Sequence, residues 1–113
     1  MKTYVTASLQ VEGLHRWEGC DLKDVRFLRN VHRHIFYINC KKSVSHEDRD
    51  IEIILFKREL SDYLQTRYKK DGNCCDFGSM SCEMIAKELL QEFNLDFCSV
   101  LEDGENGAEV TKE

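Results

Sequence analysis

The chain of 113 residues contains no proline, and no segment has the composition of an interdomain linker. The missing proline agrees with a compact domain, although it does not select a fold. A chain of this length corresponds to one ordinary domain. We therefore predict a single domain over residues 1–113.

Long apolar runs are also missing. No segment reaches the length of a membrane span, and the N-terminal residues lack the apolar core of a signal peptide. We expect a cytoplasmic protein without a membrane partner, in which the six cysteines are reduced. Because no two cysteines form a C-x-x-C unit, the sequence does not favour a zinc site built from thiolates.

The excess of basic residues that binding to nucleic-acid phosphates requires is absent as well. The formal net charge is -5, so we expect no nucleic-acid partner. Lys23, Arg26, Arg29 and Arg33 leave two interpretations open, a local basic pocket or an ordinary solvated loop. With 42% hydrophobic and 33% charged residues, the composition indicates a folded globular protein.

Apolar patterning predicts strands in the first half of the chain. Residues 4–14 alternate between apolar and polar side chains, and residues 31–40 are rich in β-branched and aromatic ones. Residues 41–50 form the turn of a hairpin, and residues 51–55 predict a third strand that leads directly into a first helix. Residues 71–79 end that helix as a loop.

The second half predicts another helix and two more extended segments. Ser81 is the expected N-cap, and Asn94 closes the helix. Residues 97–102 predict a fourth strand, and residues 108–111 a short segment that pairs with it. The order β-β-β-α-α-β-β indicates an α+β fold with two helices on one face of an antiparallel sheet. A ferredoxin-like sandwich is the alternative, but residues 16–30 show no helical stripe.

Three of the four histidines are spaced for one metal site. His32 and His34 lie two residues apart in a predicted strand, so their side chains share one face of the sheet. His15 ends the preceding strand, and antiparallel pairing would bring it close to them. Three neutral imidazoles leave a divalent metal with an open position, as in catalytic zinc sites, where the metal acidifies a bound group. The alternative is a set of ordinary strand histidines.

Five short motifs resemble those of a known superfamily and occur in the same order along the chain. They lie at residues 11–17, 32–34, 52–57, 81–86 and 100–103. With them the chain, from about residue 5 to residue 110, resembles the tunnelling-fold (T-fold) superfamily. Within it, the chain is similar to the 6-pyruvoyltetrahydropterin and 6-carboxytetrahydropterin synthases. The resemblance implies a four-stranded antiparallel sheet with two helices on one face, of β-β-α-α-β-β type. It also implies a homo-oligomer, such as a hexamer, that forms a barrel with pockets between neighbouring subunits.

The resemblance also implies a set of site residues. The implied ligands of a Zn²⁺ ion are His15, His32 and His34, and the implied ligand-binding residues are Glu102, Arg29, Arg33 and Ser81. Glu102 would hold the ring of a small pterin or purine nucleotide, since a carboxylate accepts two parallel hydrogen bonds from a guanine-like edge. The basic side chains would meet its phosphates. The alternative for Glu102 is a solvated acid beside a turn.

The chain departs from the family's pattern at the groups that transfer protons. The cysteine that precedes the His-x-His motif in the synthases is missing, and Cys20 lies too far upstream for a simple match. The Asp-His pair between the two helices is missing too. The candidates left for catalytic roles are Cys20, as a displaced nucleophile, and His46, supplied from a neighbouring subunit.

Three hypotheses for the function follow. The first is a carbon–oxygen lyase of the pterin-synthase type. The second is a binder without catalysis that traps or senses a nucleotide, and the chain also resembles small proteins that bacteriophages encode. The third is a structural assembly subunit whose histidines are only buried and hydrogen-bonded.

Overall fold

A six-stranded sheet carries the fold in the computed structural model, which describes all 113 residues. The strands are β1 (Thr3–His15), β2 (His32–Val44), β3 (Lys69–Asp71), β4 (Cys74–Asp76), β5 (Phe97–Glu102) and β6 (Asn106–Thr111). The α-helices are α1 (Ile53–Tyr68) and α2 (Cys82–Phe93), and a 3-10 helix spans Lys23–Arg29. The strand order is β3-β4-β1-β2-β5-β6. None of these helices combines the length and the apolar character that crossing a bilayer requires.

The long antiparallel pair β1 and β2 forms the centre of the sheet. Its register runs from Thr3 opposite Val44 to His15 opposite His32. In β1, alternate side chains from Ala7 onward are buried, as the sequence alternation predicts. Strand β5 adds to the other side of β2 in antiparallel orientation. The two strand ends that carry the histidines are therefore adjacent.

One hydrophobic core lies between this sheet face and both α-helices. α1 contributes Phe56, Leu60 and Leu64, whose spacing of four residues places them on one helix face. α2 contributes Ile85 and Leu89, among other buried side chains. Because both helices share a single apolar cluster with the strands, they pack on the same face of the sheet. The predicted α+β class and the placement of both helices are confirmed.

The sheet is larger than the four-stranded antiparallel sheet that we expected. Residues 71–79 are not only a loop, since they include β4 and part of a β3–β4 hairpin that turns at Gly72, where φ is +56°. β4 pairs with β1 in parallel through two residue pairs, and this makes the sheet mixed. Residues 16–30, which show no helical stripe in the sequence, also contain regular structure, because the 3-10 helix lies within them.

The predicted third strand at residues 51–55 is wrong. α1 begins at Ile53 because the carboxylate of Glu52 accepts hydrogen bonds from the backbone N–H groups of Ile54 and Leu55, both at 3.1 Å. A capping carboxylate satisfies donors that the first helical turn otherwise leaves unpaired. The apolar run that resembled a strand is therefore the exposed first turn of a helix.

The boundaries of the second helix and of the strand after it are confirmed. The hydroxyl of Ser81 accepts a hydrogen bond from the backbone N–H of Met84 at 3.2 Å. Asn94 adopts the left-handed conformation, with φ of 51°, that often follows a helix. The predicted strand at residues 97–102 coincides with β5, and residues 108–111 lie within β6.

We expect Gly107→Ala to destabilise the β5–β6 pair. A Cβ atom at Gly107 would overlap the carbonyl oxygen of Val100 and lie 2.8 Å from the Cα of Leu101, and backbone atoms cannot rotate away. The free energy of unfolding, measured by urea denaturation, should fall by about 1–3 kcal/mol. Gly19→Ala is the control, since the nearest atom there is 3.9 Å away. Equal stability of the two variants would contradict the described pairing.

Candidate metal centre

Three histidines meet where β1 ends and β2 begins. His15 lies opposite His32, and His34 lies opposite Gly13. The ring centroid of His15 lies 4.6 Å from that of His32 and 5.4 Å from that of His34. One nitrogen from each ring lies within 4.8 Å of the others. The predicted convergence of the three side chains is confirmed, and the cluster has a geometry that can hold a metal ion.

An aromatic floor supports the cluster. The ring of Phe36 packs edge-on against His15, with centroids 5.2 Å apart, and against Phe77 at 5.1 Å. Gly13 makes this packing possible, because a Cβ atom there would come within 2.7 Å of Phe77 and 2.9 Å of Phe36. Gly13, two positions before His15, is therefore small because the aromatic rings leave no space for a side chain.

The Nδ1 atoms of His15 and His32 are held by backbone carbonyls. His15 Nδ1 lies 2.9 Å from the carbonyl oxygen of Met80, and His32 Nδ1 lies 2.8 Å from that of Asn30. A carbonyl oxygen only accepts hydrogen bonds, so Nδ1 carries the proton in each ring. In the neutral ring, Nε2 then presents a lone pair. This is the tautomer that a metal ligand bonded through Nε2 requires.

Two of the Nε2 atoms are buried and have no hydrogen-bond partner, those of His15 and His34. The carboxylate of Glu102 faces both, with Oε2 3.0 Å from His15 Nε2 and Oε1 3.5 Å from His34 Nε2. Neither approach has the angles of a hydrogen bond, so each Nε2 atom lies beside a carboxylate oxygen without bonding to it. Buried polar atoms without partners are uncommon and require an explanation. Imidazole nitrogens beside a carboxylate suit a divalent transition metal such as zinc, so these residues fit such an ion.

A cleft of about 500 Å³ opens beside the cluster. His15, His32 and Glu102 line it, together with the apolar side chains of Trp17 and Met80. Apolar walls with a few converging polar groups are typical of pockets for small molecules. Two of the three histidines and Glu102 therefore line one shared space.

The start of α2 forms one side of this cleft. Ser81 lines the cleft, although its hydroxyl is also the helix cap. The thiol of Cys82 lies 3.8 Å from Oε2 of Glu102. Burial, followed by the negative charge of Glu102, raises the pKa of Cys82 to about 12. The thiol that lines this cleft is therefore protonated at neutral pH.

The structure places the two arginines that we expected to meet phosphates outside this cleft. Arg33 pairs with Glu12, and strand alternation puts it on the opposite face of the sheet from its two histidine neighbours. Arg29 is exposed and donates a hydrogen bond to the carbonyl oxygen of Cys20 at 2.6 Å. Arg16 does line the cleft, and sequence reasoning missed it. Its position directly after His15 is the signal that would have identified it.

The two candidates for catalytic roles also lie away from the cluster. Cys20 is fully buried, and its thiol donates to the carbonyl oxygen of Val25 at 3.5 Å. His46 follows the far end of β2, where it is exposed and lies 3.5 Å from Asp50. Within one chain, neither residue reaches the cleft. The expected contribution of His46 from a neighbouring subunit stays a prediction.

Asp103 is a second residue that sequence reasoning missed. It follows Glu102 at the end of β5, and its Oδ2 lies 2.7 Å from Nδ1 of His34. The His34 ring is therefore enclosed by two neighbouring carboxylates. The sequence signal for Asp103 was its position directly after Glu102, at the end of a predicted strand.

Comparison with known proteins bears on the fold alone. No protein-family model matches the chain, and no curated protein matches it. The crystal structure of an uncharacterized protein from Wolinella succinogenes is similar, with a TM-score of 0.61 and 13% sequence identity. The match covers 100% of this chain and 99% of that one. The chain is thus similar in fold to another protein along its whole length.

Proposed function

We propose that this protein binds a pterin- or purine-type nucleotide at a zinc ion held by His15, His32 and His34. The observation that carries the proposal is the pair of buried, unpartnered Nε2 atoms of His15 and His34, which lie beside the carboxylate of Glu102, a residue that lines the cleft. The resemblance to the T-fold pterin synthases supports the same assignment. The nucleotide would enter the cleft with its ring edge toward Glu102.

Zinc is the ion that the side chains favour. Three imidazole nitrogens suit zinc and similar transition metals, whereas magnesium and calcium prefer oxygen ligands. When bound, such an ion polarises the oxygen atoms of a ligand that coordinates it. The three histidines orient their ring nitrogens through fixed Nδ1 contacts. The fully buried ring of Phe36 packs against His15 on the core side of the cluster.

Glu102 is the residue that we assign to the ring edge. It lies at the end of β5, and 27% of its side chain is exposed, on the side that faces the cleft. A carboxylate accepts two parallel hydrogen bonds from adjacent N–H groups of a guanine-like ring. Trp17 and Met80 give the cleft apolar surface for the ring faces. Arg16 supplies a positive charge at the same cleft.

The cleft favours binding over turnover. Cys20 is buried elsewhere, and the pKa of Cys82, raised to about 12, leaves little thiolate at neutral pH. Lyase chemistry is the second candidate, since the histidine cluster opens toward the cleft as a catalytic metal site does. It would draw its proton-transfer group from a neighbouring subunit in a cytoplasmic homo-oligomer. His46, which is exposed, is the residue that such a neighbour would supply.

Metal analysis and native mass spectrometry of one sample test the metal site. We expect about one zinc ion per chain, the stoichiometry of a single three-histidine site. His32→Gln should remove most of the bound zinc because it deletes one of three protein ligands. His46→Gln is the matched control and should keep it. Equal zinc content in both variants would place the metal elsewhere, and the native masses also report the oligomer.

Binding of neopterin and of GTP, measured by calorimetry on the zinc-loaded protein, tests the role of Glu102. Loss of charge-assisted hydrogen bonds is worth about 1.5–3 kcal/mol, so Glu102→Gln should raise Kd by about 10- to 150-fold for the ligand that binds. Glu105→Gln, a change at an exposed acid in the following turn, is the control. If Glu102→Gln binds as tightly as the unsubstituted protein, the ring is held by another group.

Incubation of the zinc-loaded protein with dihydroneopterin triphosphate separates binding from lyase activity. We expect the substrate to bind and to be recovered intact, because the cleft of one chain lacks a thiolate or a free histidine for proton transfer. Chromatography with detection of released triphosphate measures the outcome. Triphosphate release that His32→Gln abolishes would instead establish the lyase.

A further inference from the structure

Asp103 is locked in place by the backbone of the neighbouring strand. It occupies the turn between β5 and β6 in the left-handed region, with φ of 56°. Its N–H donates to the carbonyl oxygen of Ile35 at 2.8 Å, and its Oδ1 accepts from the N–H of Ile35 at 3.0 Å. A non-glycine residue in this region needs surrounding contacts to hold it. These two contacts leave Oδ2 directed at His34.

His34 differs from the other two histidines in what holds its Nδ1 atom. Backbone carbonyls hold His15 and His32, whereas the carboxylate of Asp103 holds His34 at 2.7 Å. Asp103 is an exposed side chain that also accepts a hydrogen bond from the N–H of Ile35, so its carboxyl group is ionised at neutral pH. The ionised carboxylate only accepts hydrogen bonds. The proton between the two residues therefore belongs to Nδ1 of His34.

Two carboxylates compete for the single N–H proton of a neutral His34 ring. Asp103 makes a hydrogen bond of 2.7 Å on the Nδ1 side, while Glu102 lies 3.5 Å from Nε2 without hydrogen-bond geometry. If the Asp103 carboxylate were absent, no acceptor would hold the proton on Nδ1, and a proton on Nε2 would be stabilised by the negative charge of Glu102. That tautomer has no lone pair on Nε2 and does not bind a metal ion through that atom.

We propose that Asp103 is a positioning residue that keeps the proton of His34 on Nδ1 and so reserves Nε2 for a metal ion. Its effect on metal affinity rests on the proposed function, whereas its effect on the tautomer does not. Partners of this kind change metal affinity by about 10- to 100-fold in known sites. The residue pair 102–103 then acts on both sides of the same imidazole.

Asp103→Asn separates this role from a structural one. The amide oxygen of the variant can keep the hydrogen bond from Ile35, so the turn retains its backbone contacts. Its NH2 group then faces Nδ1 of His34, which has to accept, and the proton moves to Nε2. Asp103→Ala loses both side-chain hydrogen bonds, to Ile35 and to His34, and reports the structural contribution. Asp50→Asn, beside the exposed His46, is the control for a carboxylate next to a histidine outside the cluster.

The experiment records the ring ¹⁵N chemical shifts of His34 in metal-free protein, at a pH above the ordinary imidazole pKa of about 6.5, so that a neutral ring is observed. We expect the Nδ1–H tautomer in the unsubstituted protein and the Nε2–H tautomer in Asp103→Asn. Competition with a chelator then measures zinc affinity, which should fall about 10- to 100-fold in Asp103→Asn and stay unchanged in Asp50→Asn. Thermal unfolding without metal should show Asp103→Asn to be more stable than Asp103→Ala.

The outcomes distinguish the inference from the proposed function. An Nε2–H tautomer in the unsubstituted protein overturns the inference, and this measurement needs no variant to fold. Unchanged zinc affinity in an Asp103→Asn variant with the altered tautomer overturns the link to metal binding. If the tautomers behave as expected but the unsubstituted protein binds no zinc, the positioning by Asp103 is supported and the proposed function fails.

Discussion

The antiparallel register of β1 against β2 is the constraint on which the candidate site depends. It places His15 opposite His32 and, through the alternation of the strand, puts His34 on the same face. A shift by one residue would move every side chain of a strand to the other face. Burial of the alternate apolar residues of β1 opposes such a shift. The hydrophobic core and the histidine cluster are therefore fixed by the same interaction.

The segments around the sheet complete what the register begins. A backbone carbonyl before α2 holds His15, one before β2 holds His32, and Asp103 in the β5–β6 turn holds His34. These contacts direct ring nitrogens toward Glu102 and leave two of them without hydrogen bonds. Buried polar groups without partners reduce stability. The proposed binding role would offset this cost when a ligand is bound.

Local patterns predicted the elements whose stabilising contacts are themselves local. The cap at Ser81 and the closing residue Asn94 are recognisable because each acts on backbone groups a few residues away. The strand predicted for residues 51–55 was wrong because their apolar run fits a strand, whereas the contact that starts the helix is a side-chain cap from Glu52. The β3–β4 hairpin is too short to show alternation. Its last strand is set by pairing with the edge of β1.

Strand periodicity in the sequence was enough to assign side chains to a common face of the sheet. Strand alternation puts His32 and His34 together, and the same rule separates Arg33 from them. The contacts of Glu102 and Asp103 with these histidines could be seen only in the folded chain, because the pairing of β5 with β2 brings Glu102 opposite Phe36. The face of a side chain is a property of the local extended backbone. The partner of a strand depends on which apolar surfaces the whole chain buries together.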